Sequence, residues 1–577
     1  MKKLFKYIKP HIIFFILAPI FMLVEVGGEV MLPKLISMII NDGVAAEDTG
    51  YILQIGFVMV GFAVMMMSGG VLGGYCATKA AVSFSADLRL DVFKKLQSYS
   101  FEDIDDFSTG SLVTRLTNDI VQVQNCTRMM LVMMLRSPGM LIGALIMASS
   151  INVKLAAIIA CVIPVLVVSV TLILKTAFPR FGIMQKKLDN LNSTIQENIT
   201  NVRVIKSFLR RDFEIKKFSI ANDELMDSTL RAMGIVILNM PVSTLIMNLT
   251  TIAIVWVGGN FVIAGTMPIG DLTAFTSYIV QILMSLMMLS MIFLQFSRAA
   301  ASLKRINEIL SHNVTLNDNN SMNIDKKVES GSIIFENVFF RYNGNSDQDI
   351  LTNINLSIPS GATVGIIGMT GSGKTSLVQL IPRLYDVTSG RVLVDGTDVR
   401  DYSIKNLRND VSMVLQNNVL FSGTVKENLK WGNENASDEE IKIACDAAQA
   451  TSFISSLPNG FNAELEQGGI NLSGGQKQRM CIARALLKKP KILILDDSTS
   501  AVDSATEARI RESFKTTLKE TTKIIIAQRI QSVIDADTII VMDEGHITGI
   551  GTHKELLNSN DVYREIYYSQ MDKEVSA

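Results

Sequence analysis

Eight consecutive residues, Gly368-Met369-Thr370-Gly371-Ser372-Gly373-Lys374-Thr375, have the types and spacing that hold a nucleotide's phosphates. Glycines let successive backbone N–H groups curl around phosphate oxygens with no Cβ in the way. The Lys374 ammonium can reach the β- and γ-phosphates, and the Thr375 hydroxyl can ligate Mg²⁺. An apolar β-type run, Val364–Ile367, precedes the loop, and a helical pattern from Ser376 to Ile381 follows it. That is the context the motif requires, and the helix start adds its partial positive charge.

Two further stretches fit the same chemistry. Lys491–Leu495 reads as a buried strand ending in Asp496, a carboxylate placed to hold Mg²⁺ through water. Leu472-Ser473-Gly474-Gly475-Gln476 precedes a helix with Arg479 and Arg484, and a Ser-Gly-Gly turn there is a second phosphate-binding surface. One nucleotide cannot readily occupy both surfaces of one chain. The simplest arrangement is two such domains head-to-tail, each giving one surface to each of two sites.

These stretches need an α/β scaffold. From Gly331 to residue 577, short β-branched runs alternate with helical patterns, as an α/β domain requires. Residues 311–330 shift to Asn, Asp, Ser and Lys and read as a linker. Residues 1–310 differ in kind. Apolar runs long enough to span a bilayer lie at about 12–40, 51–78, 130–148, 155–174, 235–257 and 271–296. The joins at 41–50, 149–153 and 258–270 are short and lack Lys and Arg. Those at about 79–129 and 175–234 are long, charged and helix-patterned, with Arg180, Lys186, Lys187, Arg203, Arg210 and Arg211 in the second. With Lys2, Lys3, Lys6 and Lys9 at the start, the positive-inside rule puts the N-terminus and both long joins in the cytoplasm.

Composition fits a mixed chain: 48% hydrophobic and 19% charged residues over 577, with mean hydropathy +0.31. A net charge of −1 argues against nucleic acid as a partner. Cys76, Cys126, Cys161, Cys445 and Cys481 are scattered, with no C-x-x-C pair, and read as buried thiols in a reducing compartment. The first apolar run is too long for a cleavable signal. Within it, Glu25 and Glu29 sit one helical turn apart on one face. At membrane depth such carboxylates line a polar pathway, unless they lie near the external surface or in a wet cavity with no specific ligand. The 30 methionines suit promiscuous apolar ligands, although ordinary helix packing explains most of them.

In the order P-loop, LSGGQ and apolar strand to Asp496, behind six spans, the chain resembles a half-size ABC exporter of the multidrug type over nearly its whole length. The resemblance implies an α-helical six-span membrane domain with long cytoplasmic helical extensions, followed by a P-loop ATPase domain using ATP and Mg²⁺. It also implies roles for single positions. Tyr342 would stack on adenine. Gln416 would touch Mg²⁺ and sense the membrane domain. Ser500-Ala-Val-Asp503 would form the D-loop, and Glu464–Gly469 the exporter-specific segment before the signature. Phe107–Asp119 and Val204–Phe218 would couple the domains, although either alone also fits a solvated helix hairpin.

Two positions depart from the family pattern. After Asp496 the family has Glu, the base that polarises the attacking water, and this chain has Asp497. Its carboxylate falls short by roughly 1.5 Å, and displacements of about an ångström in such geometry cost ~10²-fold. Where the family has a switch histidine, this chain reads Ile526-Ala527-Gln528-Arg529, and His11, His312, His546 and His553 lie elsewhere. Glutamine cannot act as an imidazole acid/base. Both losses fall on the P-loop side while LSGGQ is intact. The expected assembly is therefore a heterodimer with a second half-transporter that keeps the glutamate and histidine. Its function would be export of small apolar or amphipathic compounds, drug-like or lipid-like, across the cytoplasmic membrane. The alternatives are a regulatory subunit gating its partner by ATP occupancy, or a peptide exporter.

Overall fold

The computed structural model describes residues 2–575 apart from 319–320, 322–323, 343–348 and 499–500. Its contacts divide into two units, Met1–Leu96 with Thr109–His312, and Gln97–Ser108 with Asn313–Ala577.

In the first unit, six helices among the described residues are long and apolar enough to cross a membrane. They are Phe5–Val44, Thr49–Gln97, Thr109–Ile151, Val153–Thr200, Arg211–Ile263 and Ile269–Leu289, the last continuing as helix to Ser311. Helix is the open-chain solution in lipid, because it satisfies every backbone polar group internally. The second helix, 49 residues, is about 74 Å long, more than twice the ~30 Å of a bilayer's hydrocarbon core. The spanning helices thus run well past their apolar stretches. One apolar cluster joins Val26 and Val30 of the first helix to Met140, Leu155, Phe275 and Tyr278. Tyr278 is fully buried and its hydroxyl donates to Val30 O at 3.0 Å, a protein partner in place of water.

The second unit is built on two sheets. Its strands are β1 (Ile333–Phe340), β2 (Leu351–Ile358), β3 (Thr363–Gly368), β4 (Ser389–Val394), β5 (Thr397–Asp398), β6 (Val411–Val414), β7 (Gly423–Thr424), β8 (Glu464–Leu465), β9 (Ile492–Asp496), β10 (Thr522–Ile526), β11 (Thr538–Asp543) and β12 (His546–Gly551). An antiparallel sheet runs β2-β1-β4-β5, and a six-stranded sheet runs β12-β11-β3-β10-β9-β6. Within the latter, β11, β3, β10, β9 and β6 are parallel and β12 is an antiparallel edge. Every residue of β9 and β10 is buried, as continuous apolar runs must be in a parallel sheet covered on both faces. Ile526 at the end of β10 pairs with both Ile366 of β3 and Asp496 of β9. The carboxyl ends of β10 and β9 are thereby level and β3 runs two residues further, to Gly368, at the edge where open α/β sheets bind ligands.

The short helix Phe101–Asp105 belongs to this unit although it lies between two spanning helices in sequence. Ser100 and Asp103 form a capping box. The Asp103 carboxylate also accepts from the Thr315 backbone N–H at 3.3 Å.

Candidate functional site

The phosphate loop begins where β3 ends. An added Cβ on Gly368 would lie 2.0 Å from Met542 O of β11, so the loop can leave the sheet only as glycine. Gly373 holds φ at 90°, the left-handed conformation that lets helix Lys374–Gln379 start at once. Lys374 Nζ lies inside the loop and donates to Gly368 O at 2.9 Å and Met369 O at 2.7 Å. Burial pushes the Lys374 pKa below its ordinary value, against the pull of Asp497 and Asp496. Ser372 is buried, whereas Met369, Thr370 and Gly371 form the exposed crest.

Asp496, 2% exposed at the end of β9, accepts from Thr375 Oγ1 at 3.0 Å. Burial pushes its pKa up, and the Thr375 hydroxyl draws it back only in part. A hydroxyl and a carboxylate at this separation are hard oxygen donors that fit Mg²⁺, which takes one or two protein oxygens and fills its octahedron with water and phosphate. Among the described residues no cluster of three or more His, Cys, Asp or Glu suggests another metal.

The next residue, Asp497, turns out of the strand with φ 47°, its N–H donating to Ile526 O at 3.1 Å. Its Oδ2 accepts from Gln528 Nε2 at 2.8 Å. Burial raises the Asp497 pKa, and the Gln528 bond and the Lys374 charge oppose it. Gln528 stands two residues beyond β10, and its carbonyl is held by Gln570 Nε2 at 2.8 Å. Gln416 lies two residues beyond Val414, which pairs with Leu495, and is exposed. The Tyr342 hydroxyl is 2.9 Å from Ser376 Oγ on the phosphate-loop helix.

Leu472 is buried beneath the 472–476 turn, and Ser473 and Gly474 are exposed. Ser473 caps helix Gly474–Leu487 in a capping box with Gln476. A Cβ on Gly475 would lie 2.8 Å from Ala501 O. Gln478 Oε1 accepts from the Ala501 N–H at 3.0 Å, which ties this helix to the loop before Asp503. Asp503 caps helix Ser504–Thr517 by accepting from Thr506 N at 2.9 Å, and that bond lowers its pKa. Ser500 lies outside the described residues.

Three participants escaped the sequence reading. Arg136 meets Glu25 at 3.0 Å and Glu29 at 3.4 Å, and a lone Arg in the apolar run 130–148 was the available signal. The Tyr385 hydroxyl donates to Asp105 Oδ2 at 2.7 Å, and its ring stands edge-on to Tyr342 at 5.1 Å. Gln478 is the third. Of the two stretches read as coupling regions, only Phe107 and Ser108 fall in the second unit, and the short helix there precedes them. Val204–Phe218 lies in the first unit, with Phe208 and Leu209 73% and 89% exposed at its turn.

Residues 15–286 match the family described as ABC transporter transmembrane region, and residues 351–500 match the family described as ABC transporter. The chain is 41% identical over 576 residues to YfiB of Bacillus subtilis, an uncharacterised ABC transporter ATP-binding protein, covering 100% of both chains. It is 32% identical to the putative multidrug export ATP-binding/permease protein YgaD of Bacillus subtilis, over 99% of each chain. Against the ATP-dependent lipid A-core flippase of Desulfotalea psychrophila it is 32% identical over 85% of each. The structure of a bacterial Atm1-family ABC exporter with ATP bound superposes with a TM-score of 0.78, covering 98% of both chains at 24% identity.

Proposed function

The chain belongs to the ABC transporters, as a half-size exporter with membrane and ATPase regions on one polypeptide, and from that premise we propose that it works as one half of a heterodimer whose two ATP sites differ. The observation that carries this reading is the hydrogen bond from Gln528 to Asp497. The residue at the position of the base is a shortened carboxylate already engaged by an amide. The residue at the switch position has no titrating nitrogen with which to exchange a proton.

In this reading the loop Gly368–Thr375 and Tyr342 hold ATP through its phosphates and its adenine. Thr375, Asp496 and Gln416 would hold Mg²⁺, which when bound neutralises phosphate charge. Lys374 meets the β- and γ-phosphates. Asp497 polarises water poorly, so the site retains ATP and turns it over slowly. Leu472–Gln476 and Asp503 complete the partner's site, where a glutamate and a histidine carry the faster chemistry. ATP binding closes the paired domains, and hydrolysis resets them.

The exposed Phe208 and Leu209 support a partner, because an apolar tip of this kind gains stability from a covering surface. The cargo class is apolar or amphipathic. Supporting it, a cavity of about 660 Å³ in the first unit is lined by Phe15, Phe84, Met130, Met134, Leu135 and other apolar residues. Relatives named for multidrug export and lipid flipping agree with it. By the distribution of Lys and Arg, the protein sits in the cytoplasmic membrane with both termini inside.

The test is ATP turnover of the purified chain alone and co-purified with half-transporters that keep the glutamate and histidine. Negligible turnover alone with robust turnover in a pair supports the asymmetric heterodimer. Robust turnover alone overturns it. ATP binding without turnover in any pairing points instead to a regulatory subunit.

A further inference from the structure

We propose that Glu29 is the anionic anchor of a site inside the membrane unit that takes the primary ammonium group of an amphipathic cation. The inference deepens the export reading and rests on it for the ligand being cargo.

Charge balance comes first. Glu25 and Glu29 share one face of helix Ile12–Met38, and Arg136 is the cation that the described ion pairs give to both. Two carboxylates thus face one guanidinium at membrane depth, where acidic groups are costly and find partners. The two carboxylates are not equivalent. Glu25 takes the shorter contact, 3.0 Å, and is built into the helix packing, since a Cβ on Gly70 would come within 3.3 Å of its carboxylate. Glu29 is the farther from Arg136, at 3.4 Å, and it lines a cavity.

That cavity is about 60 Å³, bounded by Glu29, Arg136, Ser137, Gln281 and methionines including Met140 and Met284. A water molecule's share of liquid volume is about 30 Å³, so the space suits one small polar group. Ser137 is 1% exposed, and its Oγ has no hydrogen-bond partner among the described residues. Gln281 spends its Nε2 on Glu29 O at 3.0 Å, and its buried Oε1 has no donor among the described residues. The cavity is therefore lined by three groups that can accept: the Glu29 carboxylate, an amide oxygen and a hydroxyl. A primary ammonium has three N–H donors and one positive charge. Met284 and Met288 on the cavity's rim are exposed, and their flexible thioethers suit an apolar tail lying outside the cavity.

The test uses the full-length chain in lipid nanodiscs, with empty nanodiscs as the partitioning control. Three probes share one tail: dodecylammonium, dodecyltrimethylammonium (charge without N–H) and dodecanol (neither). Wild type is expected to bind dodecylammonium at least tenfold more tightly than dodecanol, with the trimethyl probe between them. Glu29→Gln is expected to bring all three to the dodecanol level, and Ser137→Ala to weaken dodecylammonium but not the trimethyl probe. Equal binding of the three probes to wild type overturns the proposal, as does an unchanged preference in Glu29→Gln, which would place the anionic contact elsewhere. If Glu29→Gln fails to fold, the wild-type series and Ser137→Ala decide. Charge preference in binding without dodecylammonium-stimulated turnover of the pair would sink the export reading and leave the site standing. Stimulated turnover without charge preference does the reverse.

Discussion

Gln528 Nε2 donates to Asp497 Oδ2 at 2.8 Å, so the two positions read in the sequence as departures from the family pattern are bonded to each other. The bond makes them one feature. It joins the amide to the carboxylate and occupies one of the carboxylate's oxygens.

Restoring both residues is expected to restore chemistry. Asp497→Glu with Gln528→His should raise phosphate release at this site by about 10- to 100-fold. Conversely, Asp497→Asn should leave turnover of the heterodimer within about twofold of wild type. A collapse of the pair's activity in Asp497→Asn would show that this side hydrolyses ATP after all.

The signature turn should act on the partner's nucleotide. Ser473→Ala removes the helix cap, worth about 1 kcal/mol, and the hydroxyl that in the proposed reading meets the partner's phosphate. Turnover of the pair should fall at least ~10-fold, while ATP photolabelling at Lys374 of this chain stays unchanged. Loss of that labelling would mean the turn serves its own chain's site.

Tyr385 ties the helix Phe101–Asp105 to the second unit through Asp105 and stands edge-on to Tyr342. Burial and the Asp105 charge both push the Tyr385 pKa up, so the phenol stays protonated and keeps donating. Tyr385→Phe removes that bond, about 1 kcal/mol, and amide exchange over 101–106 should speed up roughly fivefold. An unchanged exchange pattern would show that ring packing alone holds the helix.

Asp395 fastens the segment that leads into β1. Its carboxylate accepts from the backbone N–H groups of Glu329, Ser330, Gly331 and Ser332 at 2.8–2.9 Å. Burial alone would raise its pKa, but the Ser330 hydroxyl and these N–H groups hold it down at about 2. Depression of a carboxyl pKa stabilises the fold above the unfolded value of about 3.9 and is lost as pH falls through the folded value. Asp395→Asn should thus cost about 1–2 kcal/mol at pH 7, after allowance for solvent screening. The difference in melting temperature should shrink only below about pH 4. A deficit that is already shrinking between pH 7 and 5 would contradict the assignment.

Much of the architecture is written in contiguous residues. Twenty-residue apolar runs give the six membrane helices, and β-branched runs alternating with helical patterns give the ATPase domain. The phosphate loop is legible because its function needs adjacent backbone N–H groups, which only a local glycine pattern can supply. The missing histidine is legible because a histidine is either at the position or absent from it. The continuation of the apolar run 51–78 into a helix Thr49–Gln97 was legible too, in the helical pattern of the charged join, but the residue at which it ends was not.

What the sequence by itself determined is therefore the set of chemical parts and the type of element each rides on. Tertiary structure alone decided who meets whom. Gln528 reaches Asp497 across 31 residues because β10 lies between β3 and β9 in register with both. Arg136 reaches Glu29 across 107, and Tyr385 reaches Asp105 across 280. No periodicity encodes such pairs. They form only where helices and strands distant in sequence pack side by side, and burial then leaves polar groups no partner but one another.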